Sequence, residues 1–192
     1  MKPTEILMAE HETIKKGIKV LQALVGQLKK GKPMVPAEFA KLTRFFSEYA
    51  DKLHHMKEEQ LLFKVLDRAR RAEFDQMVGA LITQHFLARE FIFAMNEALS
   101  DYRKGKKGAG QELITQAQGY ITLLSIHICD EDHVLFPKVD CYLSSRQTSD
   151  LMKKFTETDN LQRSNGTAQR SAERITQLHQ RYCSSATASA RI

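Results

Sequence analysis

HHMKEEQLLFKV, from His54 to Val65, is answered further along by HICDEDHVLFPKV, from His127 to Val139. Each stretch holds a histidine, a glutamate four residues on, a second acid, and a phenylalanine five positions after the glutamate. The members are His54, Glu58, Glu59 and Phe63 in one copy and His127, Glu131, Asp132 and Phe136 in the other. A single histidine stands upstream of each copy at nearly the same distance. His11 precedes His54 by 43 residues, and His85 precedes His127 by 42. Four imidazoles and two carboxylates therefore sit in a duplicated frame.

Working outward, each of the six falls on a helical seam. The first helix is expected from about Thr4, as its N-cap, to Lys30, with Leu7, His11, Ile14, Ile18, Leu21, Val25 and Leu28 alternating at spacings of four and three. The second runs from Pro36 to about Arg70 and points Phe39, Leu42, Phe46, Ala50, His54, Glu58, Leu61 and Val65 inward. The third, Ala72 to Arg103, carries Phe74, Val78, Leu81, His85, Ala88, Ile92, Met95, Leu99 and Tyr102. The fourth, Gln111 to Phe136, carries Leu113, Ala117, Tyr120, Leu124, His127, Glu131 and Val134, and Pro137 is expected to stop it. Short loops between helices of similar length make neighbours antiparallel. The fold expected is all-α: an antiparallel up-down-up-down four-helix bundle with a C-terminal helical extension.

That topology allows a geometric test. At about 1.5 Å per residue, all six residues lie roughly 10–24 Å from the same end of the bundle. They can share one layer of its core.

The bundle is expected over residues 1–140. From 141 to 192 the composition turns to Ser, Thr, Gln and Arg, and an extension is expected, loosely packed and without chemistry of its own. Its helical stretches are Thr148 to Thr158 and Ala168 to Tyr182, and its last ten residues read as a disordered tail.

Composition excludes several function classes. No stretch approaches the roughly 18 apolar residues of a membrane span. Acidic residues interrupt what would be the apolar part of an N-terminal signal, so a cytoplasmic protein without membrane contact is expected. The cysteines Cys129, Cys141 and Cys183 are odd in number and lack metal-binding spacing, which fits reduced thiols. The net charge of +6 gathers at Lys29–Lys32, Arg68–Arg71 and Arg103–Lys107, where cations meet the negative ends of helix dipoles. No aromatic residues interleave them, which argues against nucleic acid as a partner.

The chemistry lies in the six residues. Positions four apart on a helix are about 40° apart in projection, so each His-x3-Glu pair turns both side chains to one side. Two pairs and two single histidines converge on the axis. Imidazole and carboxylate donors suit iron, zinc, copper or manganese. The set exceeds what one tetrahedral ion needs. A two-metal centre uses it fully, each metal taking two histidines and both glutamates bridging. Without metal, the polar cluster in an apolar core has no compensation. No lysine or arginine is expected on the same stripe. His55 and His133 read as off the seam, His179 lies in the extension, and Cys129 points away from the site. Tyr49 and Tyr120 lie a turn or two from ligands, as core residues or as hydrogen-bond donors to them.

On these residues, with KEEQLLF and EDHVLFP after the pairs, residues 1 to about 140 resemble the hemerythrin-like, HHE cation-binding family. The resemblance implies a four-helix bundle around two non-haem iron ions, bridged by oxo and carboxylate groups and held by His11, His54, Glu58, His85, His127 and Glu131. Oxygen-carrying hemerythrin has a fifth histidine on the third helix, four residues after the first; Arg89 stands there. Its last carboxylate is an aspartate five after the histidine. Asp132 has that spacing, but about 140° of helical rotation favours Glu131. With two histidines per iron, the set is closer to the repair-of-iron-centres relatives, linked to nitric oxide and damaged iron–sulfur clusters. The function expected is binding or sensing of O2, nitric oxide or peroxide at a nearly symmetric centre. The alternatives are a di-iron oxidoreductase or iron donor, working with a redox or iron–sulfur protein partner, and a structural metal in a regulatory module.

Overall fold

The computed structural model describes residues 1–67 and 72–183. The basic group at Arg68, Arg70 and Arg71, the end of the second helix at Arg70, and the tail beyond Cys183 lie outside them. Among the described residues there is no strand, and no helix is long and apolar enough to cross a membrane.

α1 (Pro3–Lys29) is the first bundle helix. The second begins as α2 (Pro36–Phe45), continues through π-helical turns π1 (Phe46–His55) and π2 (Glu58–Leu62), and closes as α3 (Phe63–Asp67). The third is α4 (Ala72–Arg103). The fourth is α5 (Ala109–Asp130), the π-helical turn π3 (Glu131–Leu135) and α6 (Phe136–Tyr142). α7 (Ser145–Asn165) and α8 (Thr167–Cys183) follow.

Local chemistry sets the ends. Gly31 takes φ 74° just past α1, and the Lys32 N–H reaches back to the Gln27 carbonyl at 3.1 Å. A side chain with a Cβ resists that left-handed turn, so glycine closes the helix. Gly105 repeats the device after α4, with φ 74° and Lys106 N–H on the Asp101 carbonyl at 3.0 Å. Thr4 is not the N-cap of α1. Lys2 holds that position, and the Thr4 hydroxyl donates to Asp140 at 2.6 Å, tying the start of α1 to the end of α6.

The π-helical turns carry the main corrections to the sequence reading. π2 and π3 each add one residue to a turn and advance the inward seam by one position. After Glu58 the core positions are Leu62 and Leu66, both fully buried, rather than Leu61 and Val65. After Glu131 the core position is Leu135, fully buried, while Val134 is 43% exposed. Pro137 does not stop the fourth helix. It stands in the first turn of α6, just after the break in regular hydrogen bonding, where its missing N–H is tolerated.

Two apolar clusters fill the interior. One, including Ile14, Leu21, Leu42, Phe46, Met95, Leu113 and Tyr120, takes in Ile175 and Leu178 of α8. The other, including Leu7, Leu62, Leu66, Phe74, Leu81, Leu135 and Val139, takes in Leu151 and Phe155 of α7. The C-terminal helices are thus not loosely attached. Phe155 and Ile175 are fully buried, and each completes one of the clusters. The layer between the clusters is polar.

Candidate metal centre

Position in the helices brings all six expected residues together. His11 on α1, His54 at the end of π1, Glu58 at the start of π2, His85 on α4, His127 on α5 and Glu131 at the start of π3 are all at most 1% exposed. The two glutamates interleave with the imidazoles. Glu58 lies with one oxygen 3.3 Å from His54 Nε2 and the other 3.4 Å from His85 Nε2. One oxygen of Glu131 is 3.2 Å from both His11 Nε2 and His127 Nε2.

The outer nitrogen of every ring is held. Nδ1 of His11 lies 2.7 Å from Asp132, of His54 3.0 Å from Glu10, of His85 2.8 Å from Glu59 and of His127 2.9 Å from the Gln84 side-chain oxygen. Each partner is an acceptor, so each imidazole keeps a proton on Nδ1 and turns Nε2 inward as the atom that would meet a metal. Asp132 therefore serves as the acceptor behind His11, while Glu131 faces the centre.

The acceptors obey the same duplication. Glu10 and Gln84 each precede a single histidine and support the paired histidine. Glu59 and Asp132 each follow a glutamate and support the single histidine of another helix. Cations stand four residues after each single histidine. Lys15 Nζ donates to Asp132 at 3.0 Å, and Arg89 donates to Glu59 at 2.6 Å and to Asp51 at 2.7 Å. Arg89 thus braces an acceptor four residues after His85, as Lys15 does four residues after His11.

A fifth imidazole joins the layer. His55 is 2% exposed, not off the seam, and its ring stacks on His85 with centroids 3.8 Å apart. It follows His54 directly, and the wider turn of π1 lets both neighbours face inward. Two overlapping groups of donors result, each with atoms within 4.8 Å of one another. His55, Glu58, His85 and His127 form one; His11, His54, Glu58 and Glu131 form the other. The arrangement departs from the near-symmetry expected of the sequence: three imidazoles gather on one side and two on the other, with Glu58 common to both. Lys57 is a second departure, a fully buried cation beside Glu10 where no basic residue was expected.

Electrostatics are those of a site shaped for cations. Burial alone would raise Glu58, yet the His54 and His85 imidazoles hold it well below the usual carboxylate range. Burial and the Glu58 charge raise Glu131, but His127 and His11 bring it below its ordinary value. Burial would lower His54, but Glu58 and Glu10 lift it to about 10. His85 likewise rises to about 9, through Glu58 and Glu59. Burial, with His85 and His127 close by, pushes His55 well below the ordinary imidazole value.

Do these residues fit a metal? Buried polar atoms are costly without partners. Yet His11 Nε2, His54 Nε2, both nitrogens of His55 and all four oxygens of Glu58 and Glu131 are buried without a hydrogen bond. Nε2 of His85 and of His127 face each other at 3.2 Å. Once the second proton of His85 is displaced these are two opposed lone pairs, which a cation between them would reconcile. Donor separations of 3.2–3.4 Å match neighbouring ligands on an ion with bonds of about 2.1 Å. The donor set fits.

The remaining candidates fall outside the layer. His133 and Cys129 are exposed, and His179 lies on α8. Tyr120 packs on Phe46 at 4.6 Å between centroids and is a core residue, while the half-buried Tyr49 stacks on Phe45 at 5.3 Å against the edge of the same cluster. Sequence reading missed His55, Glu10, Gln84, Glu59, Lys15 and Arg89 as parts of the site. The acceptors and cations were signalled by their repeated offsets from the inward histidines and glutamates; nothing in a regular helical period signals His55.

Comparison with curated proteins and with solved structures finds no match. The family model described as Hemerythrin HHE cation binding domain matches residues 2–139, and every residue of the polar layer falls within that span. The chain therefore belongs to the hemerythrin HHE cation-binding domain family.

Proposed function

We propose that this chain holds two iron ions and binds or senses a small oxidant or diatomic molecule: O2, nitric oxide or peroxide. The carrying observation is the set of inward donors left without hydrogen bonds around one shared carboxylate, Glu58. His55, His85 and His127 would hold one ion, and His11, His54 and Glu131 the other, with Glu58 bridging. A soft thiolate is absent from the set, and imidazole with carboxylate is a donor mixture that suits iron. When bound, iron supplies open coordination positions and one-electron redox chemistry.

The protein residues do the rest. Glu10, Asp132, Glu59 and Gln84 fix ring orientation and the Nδ1 proton, which raises ligand basicity. Glu58 and Glu131 offset cationic charge in a dry layer. The apolar clusters above and below exclude bulk water, which favours uptake of small, weakly polar molecules. The six ligands read from the frame are retained in this reading, and His55 is added to them.

Metal content of the purified protein comes first, then spectra of anaerobically iron-loaded protein exposed in turn to O2, nitric oxide and peroxide. Two irons per chain and a reversible spectral change support the proposal. Turnover with an electron donor would make the centre an oxidoreductase. Two irons with no response to any of the three would make the metal structural, and fewer than about one metal per chain would sink the dinuclear reading.

A further inference from the structure

The duplicated frame breaks at one place, and the break leads out of the bundle. Where the second copy has the neutral Gln84 behind His127, the first has the carboxylate of Glu10 behind His54. Where the second copy has the exposed Asp130 before its glutamate, the first has the buried Lys57. These two differences meet. Lys57 donates to one oxygen of Glu10, whose other oxygen holds His54 Nδ1 at 3.0 Å.

Lys57 is fully buried, and taking an ammonium out of water costs several kcal/mol unless it is well paired. Part of that pairing comes from α7, beyond the span matched by the family model. Asp159 Oδ1 accepts from Lys57 Nζ at 2.8 Å, and the Phe155 ring, one helical turn earlier, lies 5.6 Å from the same ammonium. Phe155 is itself locked in the apolar cluster with Leu62 and Phe63, which follow Glu58. An unbroken series of side chains thus runs from α7 to a ring nitrogen of the centre: Asp159, Lys57, Glu10, His54.

We infer that Asp159 and Lys57 are positioning residues for His54, acting through Glu10, so that the C-terminal helices help hold one of the two metal ions. The inference rests on the dinuclear reading above. Glu10 is shared between an imidazole and an ammonium. Asp159 draws the ammonium toward α7 and neutralises part of its charge, leaving Glu10 a strong acceptor for the His54 Nδ1 proton. Without Asp159 the full cation falls on Glu10, the acceptor weakens, and His54 becomes a poorer ligand. The ion held by His11, His54 and Glu131 loses affinity, while the three-imidazole side, braced by Glu59, Arg89 and Gln84, is unaffected.

The test is anaerobic titration of the full chain with cobalt(II), followed by its visible ligand-field bands. In the wild type two equivalents bind. Asp159→Asn should weaken one equivalent by about tenfold, the lower end of what an outer partner of a metal ligand contributes, and leave the other in place. Asp150→Asn, an exposed acid on the same helix, should change neither. Glu10→Gln makes the first copy resemble the second; in that background Asp159→Asn should have no further effect on cobalt affinity. Two equivalents bound with wild-type affinity in Asp159→Asn would overturn the inference. So would an equal loss with and without Glu10, since that is what general loosening of α7 would give. Failure of the wild type to bind cobalt would instead remove the dinuclear reading beneath it.

Discussion

The imidazole of His55 lies flat on that of His85, with centroids 3.8 Å apart and planes 14° from parallel. Neither nitrogen of His55 has a hydrogen-bond partner, although the residue is almost fully buried. A buried group left so costs about 1–3 kcal/mol, so the ring destabilises the metal-free fold unless something binds to it.

His55→Leu separates the two consequences. In metal-free protein it should raise stability by about 1 kcal/mol, because an unsatisfied polar ring is replaced by an apolar group. In titrations it should weaken the His85–His127 equivalent by more than about 100-fold, beyond the usual effect of an outer partner. Chemical denaturation and calorimetric metal titration read the two effects. Lower metal-free stability with unchanged affinity would make His55 a core residue.

Glu58 and Glu131 should behave differently. Glu58 belongs to both donor groups, whereas Glu131 belongs to one. Glu58→Ala should lose both metal equivalents together, and Glu131→Ala should keep the equivalent held by His55, His85 and His127. Metal content by elemental analysis after dialysis distinguishes them.

Metal affinity should climb with pH well past neutrality. In metal-free protein Glu58 and its neighbours lift His54 to about 10 and His85 to about 9, so both rings carry a proton that metal must displace. Apparent affinity therefore rises until pH passes about 10. The stability of the metal-free fold runs the other way. A pKa above the unfolded value of about 6.5 contributes stability that is complete below that pH and is lost as pH rises through the folded values. Metal-free protein should thus weaken between about pH 6.5 and 10, over the range where the metal-bound form gains. Denaturation curves at several pH values, with and without metal, check the crossing.

Phe155→Ala probes the C-terminal helices as core. The side chain is fully buried among Leu62, Phe63 and Leu151, so its truncation should cost about 3–5 kcal/mol of folding stability. A loss below about 1 kcal/mol in urea denaturation would return α7 to the status of a loose appendage.

Much of this was legible in the sequence. Heptad-like spacing with four histidines on the seams fixed four helices, their direction and the depth of the polar layer, because a helix seam is a matter of local periodicity. The choice of Glu131 over Asp132 as the inward carboxylate was legible for the same reason: four residues return a side chain to the same face and five do not. Regular periodicity also misled. It carried the seam to Leu61 and Val134, one residue short of where the π-helical turns put it, and it turned His55 outward.

The sequence by itself determined the duplicated histidine–glutamate frame, the bundle and their shared level, since each depends only on spacing along a helix of known pitch. Tertiary structure alone decided that the centre is lopsided, with three imidazoles on one side, and that Lys57 is buried under α7. Those outcomes depend on how helices distant in the chain meet. A π-helical turn persists where packing and polar contacts offset its cost, and a buried ammonium persists where Glu10 and Asp159, 149 residues apart, both accept from it.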